Sequence, residues 1–252
     1  MPLDAHTTAA PPHPVMRVQA FEAAPTVPRL SVPLMATAEG ELNGELLRFL
    51  TEPPADPSLL AGKRIAVLAT NGVEEVELTV PLAWARERGA TVHLVSPRVD
   101  PAPNAYGVQM PEAARTHVLT VKFMENAGWV AIDRYLGEAT AGEYDAVVLP
   151  GGAWNPDTLR ADPHAQAFVR AALEAGKPVL AICHGPLVLV SAGVLRGRRA
   201  TAFWTVQPDL ANAGATVADE PCVVDGSLIT GRFPYDLPRC LDAFAGQLVA
   251  AA

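Results

Sequence analysis

Cys183 and His184 stand side by side in "KPVLAICHGPLVLVSAG" (177–193), where a short apolar run stops and Gly-Pro follows. A cysteine in that place has two readings. It is a buried thiol at a strand end, where cysteine is common, or a nucleophile held out on a sharp strand-to-helix turn. The second reading needs small residues two positions before and after the nucleophile, because those positions crowd each other. Ala181 and Gly185 meet the condition. Pro186 suits a first helical turn, where its missing N–H has no intrahelical partner. Unpaired N–H groups at that turn favour thiolate, the reactive form of cysteine. No histidine follows position 184, so a mechanism with a downstream His base is excluded. The base is His184 itself or a group from upstream.

The elements that would position this pair alternate along the chain. "RIAVLAT" (64–70), "TVHLVSP" (91–97), "YDAVVLPGG" (144–152), "KPVLAIC" (177–183) and "RATAF" (199–203) read as strands. The first lacks polar alternation, as expected of a strand buried on both faces. Helices are expected at 74–90, 157–175, 186–196 and 236–250. Asp225-Gly226 between two β-rich runs signals a hairpin. In 98–143, 117–121 reads as a strand and 129–139 as a helix, in an insertion that could frame a pocket. The alternation predicts βαβ units. The expected fold is a three-layer αβα sandwich of flavodoxin-like type, with a mostly parallel sheet and a nucleophile elbow after a central strand.

Ten of the 24 prolines fall in the first 60 residues. That region reads as a flexible N-terminal extension with a short helix at 41–50, ahead of a single α/β domain over 61–252. The composition is half hydrophobic and 18% charged, ordinary for a soluble globular chain. A net charge of −8 and a pI near 5.2 disfavour nucleic acid as a partner. No apolar run suggests a membrane span and no secretory signal is visible, so cytoplasmic residence is expected. Cysteines 183, 222 and 240 form neither a disulfide framework nor a CxxC pair, which fits a reducing compartment. Cys222 and Cys240 read as structural. No His/Cys spacing suits a metal. Trp154, Phe203 and Trp204 either line a pocket or are simply packed.

"AICHGP", "YDAVVLPGG" and "NGVEEVELTVP", in that spread across 61–250, resemble the PfpI/ThiJ superfamily, which includes intracellular cysteine peptidase-like and Parkinson-disease-protein-like members. The resemblance implies that Cys183 is the reactive cysteine, and that Glu74 is the glutamate whose carboxyl group hydrogen-bonds its sulfur. From the residues alone, Glu74 and Glu75 are equally acids in a first helical turn. The resemblance places "PGG" beside the cysteine, with Gly151 and Gly152 as an oxyanion loop and Gly152 as the donor. It assigns His184 to a subgroup that keeps a histidine after the cysteine. It further implies that an acid, here Asp157, reaches His184 across a subunit boundary; from the residues alone Asp157 is equally an acid in the first turn of a helix opening near Pro156. The resemblance therefore predicts a homo-oligomer and a cysteine-dependent stress-response enzyme without an external cofactor. Its substrate is a peptide or amide carbonyl, as for a peptidase, or a small dicarbonyl or its protein adduct, as for a glyoxalase or deglycase. A non-enzymatic reading also fits, in which an oxidisable Cys183 makes the protein a redox-sensing chaperone.

Overall fold

The computed structural model describes residues 45, 46, 48, 49, 52–100, 107, 111–123 and 125–250. The strands, in chain order, are β1 (Arg64–Leu68), β2 (Val73–Glu74), β3 (Thr91–Ser96), β4 (His117–Lys122), β5 (Glu125–Ala131), β6 (Arg134–Tyr135), β7 (Ala146–Leu149), β8 (Val179–Ile182), β9 (Arg199–Ala200), β10 (Thr216–Val217), β11 (Cys222–Asp225) and β12 (Leu228–Gly231). The helices are α1 (Glu75–Arg86), α2 (Ala113–Thr116), α3 (Asn155–Ala161), α4 (Pro163–Glu174), α5 (Pro186–Ala192), α6 (Gln207–Asn212) and α7 (Leu237–Ala250).

A seven-stranded sheet in the order β11-β12-β8-β7-β1-β3-β6 forms the middle layer. Its neighbours pair in parallel except β11, which returns antiparallel to β12 through the Asp225-Gly226 turn. Successive side chains of each inner strand point to opposite faces. Ile65, Val67, Val148, Leu180 and Ile182 pack with Val76 and Leu78 of α1 and with Leu241, Phe244 and Leu248 of α7. Ala66, Leu68, Val147, Leu149, Val179 and Ala181 pack with Phe168, Val169 and Leu173 of α4 and with Val188 and Leu189 of α5. Strands β1, β7 and β8 are therefore covered on both sides, which is why they carry almost no polar residue. Each buried large aliphatic or aromatic side chain contributes about 1.5–3 kcal/mol.

Chain order reverses across β1, which has β3 on one side and β7 on the other. In open parallel sheets, loops diverge at the carboxyl ends of such strands and leave a crevice. Three segments meet there: Thr70–Glu74 after β1, Pro150–Trp154 after β7, and Cys183 after β8.

Three expectations are corrected. The helix expected at 129–139 is instead β5 and β6 followed by a 3-10 turn, Leu136–Glu138. Trp129 and Val130 pair across to Leu119 and Val118, and Trp129 packs on Ala113 and Ala114, so pairing with β4 overrides helical spacing. The single helix at 157–175 is two, because Asp162 ends α3 and its carboxylate caps α4 by accepting the His164 and Ala165 N–H groups. The end of the proline-rich extension, expected to be flexible, is packed on the domain. Leu46 and Leu60 are fully buried, Phe49 lies against the core, and Glu45 pairs with Arg239 of α7. Residues 1–44, and positions 47 and 50 of the expected 41–50 helix, lie outside the described residues.

Candidate active site

Cys183 has a φ of +59°, in the left-handed region. Outside glycine that conformation costs about 1–3 kcal/mol and persists only where its surroundings enforce it. Three contacts do so here. The Cys183 N–H donates to Gly231 O at 3.1 Å, the Phe203 N–H donates to Cys183 O at 3.0 Å, and the Gly185 N–H donates back to Ile182 O at 2.8 Å. The turn is tight enough that a Cβ on Gly185 would coincide with the Leu149 carbonyl. Gly185 is thus required by a neighbouring strand as well as by its own turn.

The sulfur has four polar neighbours. His184 Nδ1 lies 3.2 Å from Cys183 Sγ, and the His184 backbone N–H points at the sulfur as well. The buried Glu77 carboxyl lies beside the thiol and acts on it more strongly than any other acid. Glu74 is near enough to act on the sulfur electrostatically, without bonding it. The sulfur's carboxyl partner is therefore Glu77 and not Glu74. Three residues further along helix α1, Glu77 faces the inside of the sheet–helix layer. Glu74 lies at the crevice, where its Oε2 accepts the Phe123 N–H at 3.0 Å.

Glu77 is fully buried. Its Oε2 accepts the Gly151 N–H at 2.7 Å, and its buried Oε1 has no hydrogen-bond partner. Burial, reinforced by the Glu74 charge, pushes its pKa up to about 8. Burial raises Glu74 to about 7, even though the Phe123 N–H favours its ionised form. Glu77 is consequently protonated at neutral pH. For Cys183, burial and then the adjacent carboxyls push the thiol up, while the His184 N–H opposes this. The Glu77 charge no longer acts on the sulfur once that carboxyl holds its proton, while burial and the Glu74 charge still push the thiol up. Burial lowers the His184 pKa, so the imidazole is neutral and able to accept a proton.

Gly151 is corrected as an oxyanion donor, since its N–H is committed to Glu77. A Cβ on Gly151 would also press on the His184 N, Cys183 Cβ and Glu77 Oε2 at 2.7–2.8 Å, so its smallness is what lets three site groups converge. Gly152 adopts φ +110° and bridges Val73. The bond at that bridge runs from the Glu74 N–H to Gly151 O at 3.3 Å, which leaves Gly152 in a pair whose own N–H is not used by the bridge. Asn155 was not singled out from sequence. It is fully buried, accepts the Thr70 N–H at 2.7 Å, and donates to Pro150 O and Gly151 O at 2.8 and 3.0 Å. It ties the end of β1 to the glycine loop.

Asp157 lies in the first turn of α3, and its charge acts on His184 within the same chain, favouring the imidazolium. The expectation that it must reach across a subunit boundary is not needed for that interaction. Phe203 stacks on the His184 ring at 4.9 Å between centroids, and Trp204 stacks on Phe203 at 3.7 Å. Trp204, Trp154 and Phe123 are all more than half exposed. Trp154 rests on Gly72, where a Cβ would meet its ring at 2.6 Å. Phe203 and Trp204 thus flank His184, and Trp154 and Phe123 flank the Glu74 side.

A family model for the DJ-1/PfpI family matches residues 63–250. The chain belongs to the DJ-1/PfpI family. It is 40% identical over 177 residues to the protein/nucleic acid deglycase 2 of Escherichia coli (strain K12), covering 70% of this chain and 92% of that one. It is 34% identical over 185 residues to deglycase PfpI of Pyrococcus furiosus, covering 73% and 99%. The fold matches Schizosaccharomyces pombe DJ-1 with a TM-score of 0.61 at 20% identity, over 75% of this chain and 95% of that one. The mostly parallel sheet with flanking helices is the family architecture, and here it brings Cys183, His184 and Glu77 together at the crevice.

Glu77 is the residue that sequence reasoning missed. The signal was present: an acid between Val76 and Leu78, inside a run that the helix buries. An ionisable group on the apolar face of a helix is expensive unless it is neutral or partnered.

Proposed function

We propose that this protein is a cysteine-dependent deglycase acting on α-oxoaldehyde adducts of amines and thiols. The observation that carries the reading is the strained Cys183, placed between a protonated Glu77 and a neutral His184. The names of the E. coli and P. furiosus relatives support it. The expected cytoplasmic location rests on the three free cysteines. A homo-oligomer remains part of the proposal, to be read by light scattering.

The chemistry follows from the groups present. The Cys183 thiolate attacks the carbinol carbon of an amine adduct. The carbon–nitrogen bond breaks, and the amine leaves with a proton from the acid form of His184. This gives a hemithioacetal on the sulfur. His184 then takes the proton from that carbon and returns it to the neighbouring ketone carbon, with the hydroxyl proton passing to the ketone oxygen. The product is a hydroxyacyl thioester. Water adds to the thioester, the carbon–sulfur bond breaks, and a 2-hydroxy acid leaves. A free dicarbonyl enters at the hemithioacetal without loss of amine. The Gly152 N–H would meet the developing oxyanion, and Glu77 would hold a hydrogen bond to the sulfur throughout. No external cofactor is required.

Small adducts suit the entrance better than an extended peptide. The β4–β5 hairpin reaches the crevice, and the Phe123 N–H binds Glu74 there. The test compares release of lysine from its methylglyoxal adduct with cleavage of a fluorogenic peptide. Wild-type protein is expected to act on the adduct, and Cys183→Ser to lower that activity by about 10³-fold or more. Peptide cleavage alone would convert the reading to a peptidase. Unchanged adduct turnover by Cys183→Ser would remove the cysteine mechanism. Peroxide oxidation of Cys183 with no turnover on either substrate would favour the redox-sensing alternative.

A further inference from the structure

The other two cysteines are 18 positions apart in sequence, yet they meet in the fold. Cys222 opens edge strand β11 and is paired directly with Gly231 of β12. Cys240 projects from the first part of α7 onto the same spot. Its sulfur lies 2.6 Å from where a Cβ on Gly231 would sit, and 3.6 Å from the Pro221 carbonyl oxygen. Because residue 231 has no side chain, the Cys240 sulfur can lie against the β11–β12 pair, beside Cys222, and the two thiols influence each other's ionisation. Cys240 is fully buried and Cys222 is partly exposed.

The surroundings differentiate the two sulfurs. The Arg239 charge acts on Cys222 from the start of α7, and Arg239 is held in place by the Glu45 carboxylate at 3.1 and 3.3 Å. Arg232 lies nearby, fixed by three bonds to the buried Asp236. The neighbouring Cys240 lowers the Cys222 pKa against burial and the Asp236 charge, whereas Cys240 is itself pushed up. A partly exposed thiol with a lowered pKa thus faces a buried one whose pKa is raised, the usual arrangement of an attacking and a resolving cysteine.

We propose that Cys222 and Cys240 form a second thiol centre, which hydrogen peroxide converts to an intramolecular disulfide tying edge strand β11 to helix α7. The Cys222 thiolate attacks one peroxide oxygen. The oxygen–oxygen bond breaks, hydroxide leaves and is protonated to water, and Cys222 becomes a sulfenic acid. The Cys240 sulfur then attacks the Cys222 sulfur. The sulfur–oxygen bond breaks, and the hydroxyl leaves as a second water with the Cys240 proton. Two thiols lose two electrons and two protons, and one peroxide becomes two waters.

The experiment uses the full chain carrying Cys183→Ser, so that the active-site sulfur takes no part. After graded hydrogen peroxide, remaining thiols are alkylated and the unreduced protein is digested with trypsin. Cys222 and Cys240 fall in separate peptides, 200–232 and 240–252. The expected result is a cross-linked pair of these peptides that separates on dithiothreitol treatment. It should disappear in the added Cys222→Ser variant, whose partly exposed position tolerates the change. Oxygen addition at Cys222 without a cross-link would overturn the proposal. So would full alkylation of both cysteines at a peroxide concentration that oxidises Cys183 in the wild-type chain.

Discussion

Two cysteine regions flank strand β12 and share one of its residues. The Gly231 carbonyl accepts the Cys183 N–H, while its Cα face backs onto the Cys240 sulfur and its partner across the hairpin is Cys222. At Cys183 the neighbours are two carboxyls and an imidazole. At Cys222 they are a second sulfur, the Arg232-paired Asp236 carboxylate and the Arg239 charge. The first set can hold and move protons around a sulfur that attacks carbon. The second can stabilise a thiolate and supply a thiol to resolve it. What separates the two chemistries is therefore the charge and proton inventory within a few ångströms, since the sheet gives both sulfurs the same apolar backing.

The largest expected effect sharpens the first half of that contrast. If Glu77 works as a neutral donor to the sulfur, Glu77→Leu should lower kcat/KM by about 10²–10³-fold, the size found for loss of a positioned donor. Glu77→Gln keeps a donor and should stay within about tenfold. It should also lose the alkaline limb near pH 8 that the wild-type carboxyl imposes. Because Glu74 titrates near 7, the comparison is made in a Glu74→Gln background as well. Stability moves in a defined direction. The folded-state pKa of Glu77 is raised, so below the unfolded value both states hold the proton and no penalty exists. As pH rises from about 4.5 to about 8, the unfolded chain ionises and the folded one does not, and folding loses roughly 1.4 kcal/mol per pH unit. Urea melts at pH 5 and pH 8 should show wild-type protein losing stability relative to Glu77→Gln. Parallel curves would mean that Glu77 is ionised in the fold.

Next come the two glycines that make room for each centre. A Cβ at Gly185 would overlap the Leu149 carbonyl and lie 2.9 Å from Ile182 O, both main-chain atoms. Gly185→Ala should cost about 3 kcal/mol and turnover with it. At Gly231 the obstacle is the Cys240 sulfur, a short side chain that can rotate. Gly231→Ala should cost about 1 kcal/mol, and Cys240→Ala in the same chain should relieve it. Thermal melts and adduct turnover read both. Equal penalties at the two sites would break the comparison, because they would place rigid backbone behind both cysteines.

The legible and hidden parts of the site divide along the same physical line. The elbow was readable because a left-handed nucleophile imposes small residues at 181 and 185, and sequence records residue size. The parallel sheet was readable because strands covered on both faces lack polar alternation. Choosing between Glu74 and Glu77 needed the direction of a helix face, and α1 begins only after the two-residue strand β2. The β5 strand was misread because aromatic and apolar residues at 129–136 satisfy both periodicities, and only the pairing with β4 decides between them. Cys222 and Cys240 looked structural because their meeting depends on a hairpin return and a C-terminal helix, contacts that leave no local pattern.

The smallest effect concerns Asp157, whose carboxylate favours the imidazolium form of His184 through space. Burial is the larger influence on that ring and works in the opposite direction. Removing the charge with Asp157→Asn should lower the His184 pKa further, so the base stays neutral to lower pH. The acid limb of kcat/KM should then move down by a few tenths of a pH unit, with little change on the plateau. Asp157 is exposed, so raising the salt from 0.05 to 1 M should reproduce much of the same shift in the wild-type protein. The Cys222–Cys240 cross-link should be indifferent to Asp157→Asn, since no carboxylate at that position acts on those sulfurs. A plateau loss of tenfold or more in Asp157→Asn would instead make the carboxylate a direct partner of His184. The proton inventory that distinguishes Cys183 from Cys222 would then extend beyond the buried groups to the rim of the crevice.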